Sequence, residues 1–403
     1  MTLGDVIATK RIVICVGPGG VGKTSVAAAI AMQAARLGRR TLVCTIDPAK
    51  RLASSLGLPR LDHEERRVPS EKVAPVGRPA RGELFAMMLD QQRAMDEFVA
   101  RRVQNPEKLG RILENRIYRS IAGSLAGAQE YAAMAKLHAL DEEGRYDLIV
   151  LDTPPTANAL DFLDAPRRIT EAVDSPAIQW FIRPYMSAGR FSLKLVSFGG
   201  AFVLKRIARF VGSEFVEDMA GFLVQFNDVI GGFGARAEAV SSLLREPKVT
   251  FILVGTPEPL AIDEAIFFYQ RLRDQSMPFG AFVLNRVHAS LGPEPPADEV
   301  IIRLTLRPEL RGCSADELAR ASQTLRRTYR NFEKLAAANQ HEIARLAAAC
   351  GPTHPYVQVP FCERDVYDLD GLSWLCRYLF AEPATLPPLT APAAAASMAG
   401  VEG

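Results

Sequence analysis

The chain has 403 residues, 48% hydrophobic and 23% charged, a balance that excludes a disordered or fibrous protein and supplies a sizeable core. Its 48 basic and 46 acidic residues leave a formal charge of +2, which argues against nucleic acid or a strongly anionic membrane as the main partner. The 6 cysteines (Cys15, Cys44, Cys313, Cys350, Cys362, Cys376) form no CxxC pair or Cys/His cluster and read as reduced thiols of a cytosolic protein.

In chain order, Met1–Lys10 lacks the long apolar core of a signal peptide. Arg11–Val16 reads as a buried strand. It runs into Gly17-Pro-Gly-Gly-Val-Gly-Lys-Thr24, a complete G-x-x-x-x-G-K-[ST] pattern, and then into an Ala-rich helix over Thr24–Leu37. Further apolar runs at Thr41–Asp47, Tyr146–Asp152, Val249–Gly255, Phe279–Asn285 and Tyr356–Val359 suit strands buried on both faces. Helical patterns at Leu260–Asp274, Ala315–Ala348 and Asp370–Phe380 alternate with the later strands. The fold class is therefore α/β, a doubly wound and mostly parallel sheet.

Two stretches interrupt the alternation, Gly82–Gly144 and Asp164–Glu246, with helical spacing in Glu83–Val103, Ser120–Leu140 and Phe215–Val229. They predict a helical subdomain inserted on one edge of the sheet. The division this implies is 1–81, 145–163 and 247–381 for the nucleotide-binding core and 82–144 and 164–246 for the helical insertions. From Glu382 the chain is Pro/Ala-rich and predicts a disordered tail over 382–403. The longest uncharged apolar run between these elements, Leu195–Leu204, falls far short of the roughly 20 residues of a membrane span.

The Gly-rich loop carries the clearest chemistry. Glycines let backbone N–H groups approach phosphate oxygens, and the following helix points its positive end at the anion. In that pattern Lys23 reaches the β- and γ-phosphates and the Thr24 hydroxyl ligates Mg²⁺. Asp152, at the end of Leu148–Asp152, suits the carboxylate that supports the metal, and Asp47 is a candidate to orient or deprotonate an attacking water. For both aspartates the plainer alternative is capping the turn that follows the strand.

With Gly19-Gly-Val-Gly-Lys-Thr-Ser25, Thr45-Ile-Asp-Pro-Ala49 and Leu151-Asp-Thr-Pro-Pro-Thr156 in view, the chain resembles the deviant-Walker ATPases of the arsenite-pump and guided-entry type, cousins of MinD and nitrogenase iron protein. Phe85-Ala-Met-Met-Leu-Asp90, Ala128-Gln-Glu-Tyr131, Asn285-Arg-Val287 and Val359-Pro-Phe361 extend the resemblance over most of the chain. It implies an ATPase using ATP and Mg²⁺. Gly19, Gly20, Val21, Gly22, Lys23, Thr24 and Ser25 would hold the phosphates, with Ser25 at the α-phosphate. Asp47 and Lys23 would serve catalysis, Thr24 and Asp152 the metal, and Asp152 to Thr156 would sense the γ-phosphate. Asn285 would read adenine, with Pro360 and Phe361 along the base. An amide both accepts and donates, which suits adenine's edge. The Asn-Lys-x-Asp signature of guanine readers is absent, which favours ATP over GTP.

The resemblance also implies a dimer, homo or hetero, in the cytoplasm or peripheral at a membrane, with a helical client or membrane protein as partner. Two departures stand out. The lysine that usually precedes Gly-Gly and reaches the partner's phosphates is here Pro18, which suggests pairing with a lysine-bearing paralogue. The thiolate constellations of metalloid or zinc binding are also missing. Met87, Met88, Met95, Met134, Phe181, Met186, Phe191, Phe198, Phe202, Phe210 and Met219 read either as bundle core or as a client-binding face, and Phe191–Val211 as an amphipathic docking segment. Two other readings stay open: a nucleotide-gated binding subunit with little hydrolysis, and a MinD-like positioning ATPase, against which the large insertions argue.

Overall fold

Ile12–Val16 has five apolar residues in a row, and all five are buried because alternate side chains enter two different cores. Ile12, Ile14 and Val16 face one and Val13 and Cys15 the other. The same double burial shapes the rest of the computed structural model, which describes residues 2–47, 51–74, 80–116, 118–119, 128–153, 237–362 and 365–380.

The elements run α1 (Leu3–Thr9), β1 (Ile12–Val16), α2 (Lys23–Arg36), β2 (Arg40–Thr45), α3 (Arg51–Ser55), β3 (Arg66–Arg67), α4 (Ser70–Val73), β4 (Glu83–Met88), α5 (Gln91–Ala100), α6 (Pro106–Glu114), α7 (Ala128–Glu143) and β5 (Leu148–Asp152). They continue as β6 (Val249–Gly255), α8 (Pro259–Asp274), β7 (Phe279–Val287), α9 (Ala297–Thr305), α10 (Ala315–Cys350), β8 (Tyr356–Pro360) and α11 (Leu369–Phe380). The strands form one 8-stranded sheet in the order β3-β4-β2-β5-β1-β6-β7-β8. Every pairing is parallel except β3 with β4. The chain builds outward from β1 on one side, returns with β5 beside it, and then builds outward on the other. Such a reversal opens a crevice at the carboxyl ends of the strands.

One face carries α1, α2 and α11. Helix α2 is buried nearly all round because it lies between the sheet and α11, and its run of alanines permits that close approach. The other face carries α5–α7, residues 237–244, α8 and the C-terminal part of α10. The described helices of the first insertion thus pack over this face of the sheet. Met87, Met95 and Met134 are buried there as core, which answers the client-face alternative for these three. The second insertion up to residue 236, including Phe215–Val229 and Phe191–Val211, and the tail from Glu382 lie outside the described residues.

Glu83–Val103 is not one helix. Glu83–Met88 is a strand, paired in register with β2, and helix starts at Gln91 after an Asp90 cap. Leu84, Ala86 and Met88 face the α2 side while Phe85 and Met87 face the α5 side. A continuous apolar run has no period of its own, so its five residues fitted helical spacing equally well. β3 was invisible for the opposite reason, being two exposed arginines. The loop before it sends buried His63 across to the insertion. His63 Nδ1 accepts from the Asp90 N–H at 3.1 Å, so Nε2 donates to Glu97 at 2.9 Å, and Lys136 of α7 completes the group at 2.9 Å from Glu97. Among the described residues no helix is long and apolar enough to cross a membrane.

Met87 decides the strand assignment experimentally. Met87→Ala empties a fully buried position and should cost about 2–5 kcal/mol in urea denaturation. A loss well under about 1 kcal/mol would fit an exposed helical position instead.

Candidate functional site

The loop between β1 and α2 is shaped by three glycines with positive φ: Gly17 (145°), Gly20 (77°) and Gly22 (96°), the last being the N-cap of α2. At two of them a side chain would also collide. A Cβ on Gly17 would lie 2.0 Å from the Val254 carbonyl oxygen, and one on Gly22 would lie 2.4 Å from Asn285 Nδ2. The loop is therefore wedged between the carboxyl ends of β6 and β7. Asn285 closes the wedge, donating from Nδ2 to the Val21 carbonyl at 2.8 Å. The resulting turn sets the positive end of the 14-residue α2 at the crevice.

Beneath this loop is a buried carboxylate. Asp152, the last residue of β5, has no solvent exposure, and its Oδ2 accepts from Thr24 Oγ1 and Thr45 Oγ1, each at 2.8 Å. Its Oδ1 is buried with no hydrogen-bond partner. Desolvation pushes the Asp152 carboxyl up to about 6, although Thr24, Thr45 and Lys23 pull the other way. Thr153 ties the next residue back to β1, donating from Oγ1 to the Cys15 carbonyl at 2.8 Å. Lys23 is only 6% exposed, and its Nζ donates to the Pro18 carbonyl at 2.7 Å. Burial lowers the pKa of its ammonium against the attraction of Asp152 and Asp47. Asp47 receives support from β2, whose Thr45 Oγ1 accepts the Asp47 N–H at 3.2 Å.

A cleft of about 790 Å³ opens above these groups. Of the residues singled out in the sequence, Gly20, Gly22, Lys23, Thr24, Ser25, Asp47, Thr153, Asn285 and Pro360 line it. Asp152 lies under its floor behind Thr24, Val21 is buried in the α2 core and Gly19 is exposed. Phe361 is not part of the lining; its ring stacks on His288 with centroids 5.1 Å apart. The lining also includes Arg51, Tyr367 and Trp374, which the sequence did not single out, and Arg286, which it named only within the Asn285-Arg-Val287 match and gave no role. Arg51 follows the Thr-Ile-Asp-Pro-Ala motif closely and Arg286 follows Asn285 directly, so proximity to a motif was the signal that could have found both.

The donor set suits a phosphate-bound hard cation. A hydroxyl and an unpartnered carboxylate oxygen are hard ligands, and such a cation takes its remaining ligands from phosphate and water. Among the described residues no group of three His, Cys, Asp or Glu side chains could hold a metal by itself. The Cys44 and Cys376 thiols are buried, and burial pushes both up to about 12, which leaves them protonated and unreactive.

Residues 10–297 match the family described as anion-transporting ATPase, and the chain belongs to that family. It is 24% identical over 259 residues to a protein of Aquifex aeolicus named as a candidate arsenical pump-driving ATPase, covering 63% of this chain and 58% of that one. It is 26% identical over 288 residues to an ATPase GET3 of Malassezia globosa, covering 71% of this chain and 76% of the relative. A candidate arsenical pump-driving ATPase of Halobacterium salinarum is 30% identical over 171 residues, 40% of this chain and 24% of that protein. The chain thus spans less than two thirds of the length of two of these relatives, all of which are named as ATPases.

The raised Asp152 pKa has a consequence for stability. An acid held above its ordinary value of 3.8 binds more protons in the fold than in the unfolded chain between that value and about 6. Stability from this group is therefore greatest at low pH, falls as pH rises through that window, and stays reduced above it. Asp152→Asn should stabilise the nucleotide-free protein by about 1–3 kcal/mol above pH 6, and the gain should vanish towards pH 4. Denaturation curves across pH check this; a variant less stable than the parent at neutral pH contradicts it.

Proposed function

We propose that this member of the anion-transporting ATPase family binds Mg-ATP in the cleft at the ends of β1, β5 and β7 and hydrolyses it. The observation that carries the reading is the pair Thr24–Asp152: a hydroxyl at the start of α2 held 2.8 Å from a buried carboxylate whose second oxygen lacks a partner. Magnesium, when bound, neutralises phosphate charge. Thr24 supplies its ligand oxygen and Asp152 fixes the direction of that hydroxyl. Lys23 exchanges the Pro18 carbonyl for phosphate oxygens, which repays its burial. Gly19 to Ser25 form the cradle, with Ser25 at the α-phosphate. Asp47 lines the same cleft and orients the water that attacks the γ-phosphate. Asn285 and Pro360 bound the base side, while Phe361 supports that side through its stack on His288.

The nucleotide cycle has a mechanical outlet in this reading. Thr45 joins Asp152 to β2, and the segment after β2 leads through α3 to the His63–Glu97–Lys136 group on α5 and α7. Opening and closing of a dimer would move the helical insertions, where a hydrophobic helix or a membrane protein would bind, as in tail-anchored protein targeting. The place of action is the cytoplasm or the surface of a membrane. Within this reading Pro18 favours a heterodimer: proline has no cation to offer the partner's phosphates, so a lysine-bearing related chain would complete one site.

Lys23→Ala should reduce phosphate release from ATP by about 10²-fold or more and weaken nucleotide binding. Equal rates for the variant and the parent would end the catalytic reading. Adding the chain that co-purifies from native cells under ATP should raise turnover about 10-fold or more. Full activity of a homodimer, indifferent to any added chain, would exclude the heterodimer.

A further inference from the structure

Between Leu284 and Val287 the pairing of β7 with β8 slips. Leu284 stands opposite Gln358 and Val287 opposite Pro360, so β7 carries one more residue than its partner. The extra length is taken up at Asn285 and Arg286, and Arg286 has a φ of 59°, in the left-handed region. Non-glycine residues rarely occupy that region, and asparagine, aspartate or glycine usually fill it when a turn alone is needed. A bulge of this kind re-aims a side chain. In a regular strand, neighbours such as Asn285 and Arg286 would point to opposite faces. Here both line the same cleft.

The two residues divide the work. The Asn285 amide is held at both ends: Oδ1 accepts the Arg286 N–H at 3.0 Å and Nδ2 donates to the Val21 carbonyl at 2.8 Å. It pins the bulge to the phosphate loop. Arg286 is exposed, and among the described residues its guanidinium makes no hydrogen bond or ion pair. It stands at the β7–β8 end of the cleft with Pro360, away in the sheet order from the β5 end that holds Asp152.

We propose that Arg286 is a nucleotide-affinity residue that covers the flat face of the purine base. This rests on the cleft being a nucleotide site. A guanidinium is planar and weakly hydrated and stacks on aromatic faces, so it contributes affinity for the base whatever the number of phosphates. The strained backbone is the device that brings this side chain into the cleft beside Asn285.

The test compares the full-length parent, Arg286→Gly, Arg286→Lys and Lys23→Ala in equilibrium binding of ATP and AMP. Glycine keeps the left-handed backbone without steric cost, so it removes the side chain and leaves the bulge. Arg286→Gly should bind ATP and AMP about 5–20-fold more weakly, by the same factor for both, with thermal stability equal to the parent or higher. Arg286→Lys should recover affinity only in part, since an ammonium lacks the flat face. Unchanged binding by Arg286→Gly overturns the proposal, and so does a loss confined to ATP, which would mark a phosphate contact. If Lys23→Ala binds ATP as the parent does, the nucleotide reading itself fails, an outcome distinct from either.

Discussion

A carboxylate without solvent contact organises this molecule's crevice. Asp152 accepts hydroxyls from Thr24, at the start of α2, and from Thr45, at the end of β2, and so joins three segments that are far apart in sequence. Burial opposes its ionisation, and one of its oxygens remains without a partner. A fold with no use for charge here could place an amide or an apolar residue at the same point with less penalty. The arrangement is more economical if a cation enters above it, which is why the proposed reading gives the metal to Thr24 and Asp152.

The Gly17–Thr24 loop above the carboxylate depends on close backbone approach. Gly17 admits the β6 carbonyl of Val254, and Gly22 admits the Asn285 amide. Asn285 then links loop and bulge, so the geometry of the loop and the position of Arg286 are set together. This gives Asn285 a structural task that the resemblance did not imply, alongside its proposed place on the base side. The left-handed backbone of Arg286 and the position that only glycine fits at Gly22 both lie at this cleft.

Away from the cleft, the helices divide by burial. α2 is enclosed and carries Lys23 and Thr24 at its start. The α5–α7 layer instead meets the core partly through a polar group, His63–Glu97–Lys136, in addition to its apolar packing. Polar linkages have directional geometry and can exist in discrete arrangements, which suits the proposed transmission from β2 to the insertion.

Much of this was legible in the residues. Five-residue apolar runs such as Ile12–Val16 suited strands buried on both faces, and their alternation with helical patterns and turn residues made the parallel sheet legible. The course of the loop was legible because Gly17, Gly20 and Gly22 stand where the backbone takes positive φ. Glu83–Met88 escaped because an unbroken apolar run carries no period until a neighbouring strand supplies one. The orphaned Asp152 oxygen, the bulge at Asn285–Arg286 and the side-by-side aim of those two residues escaped for a different reason. Each is a relation between segments separated by tens to hundreds of positions, and only the packed sheet brings their atoms within reach. The sequence by itself determined which chemistry was available; the tertiary structure decided which atoms share one cleft, because register and burial are properties of pairs and not of single residues.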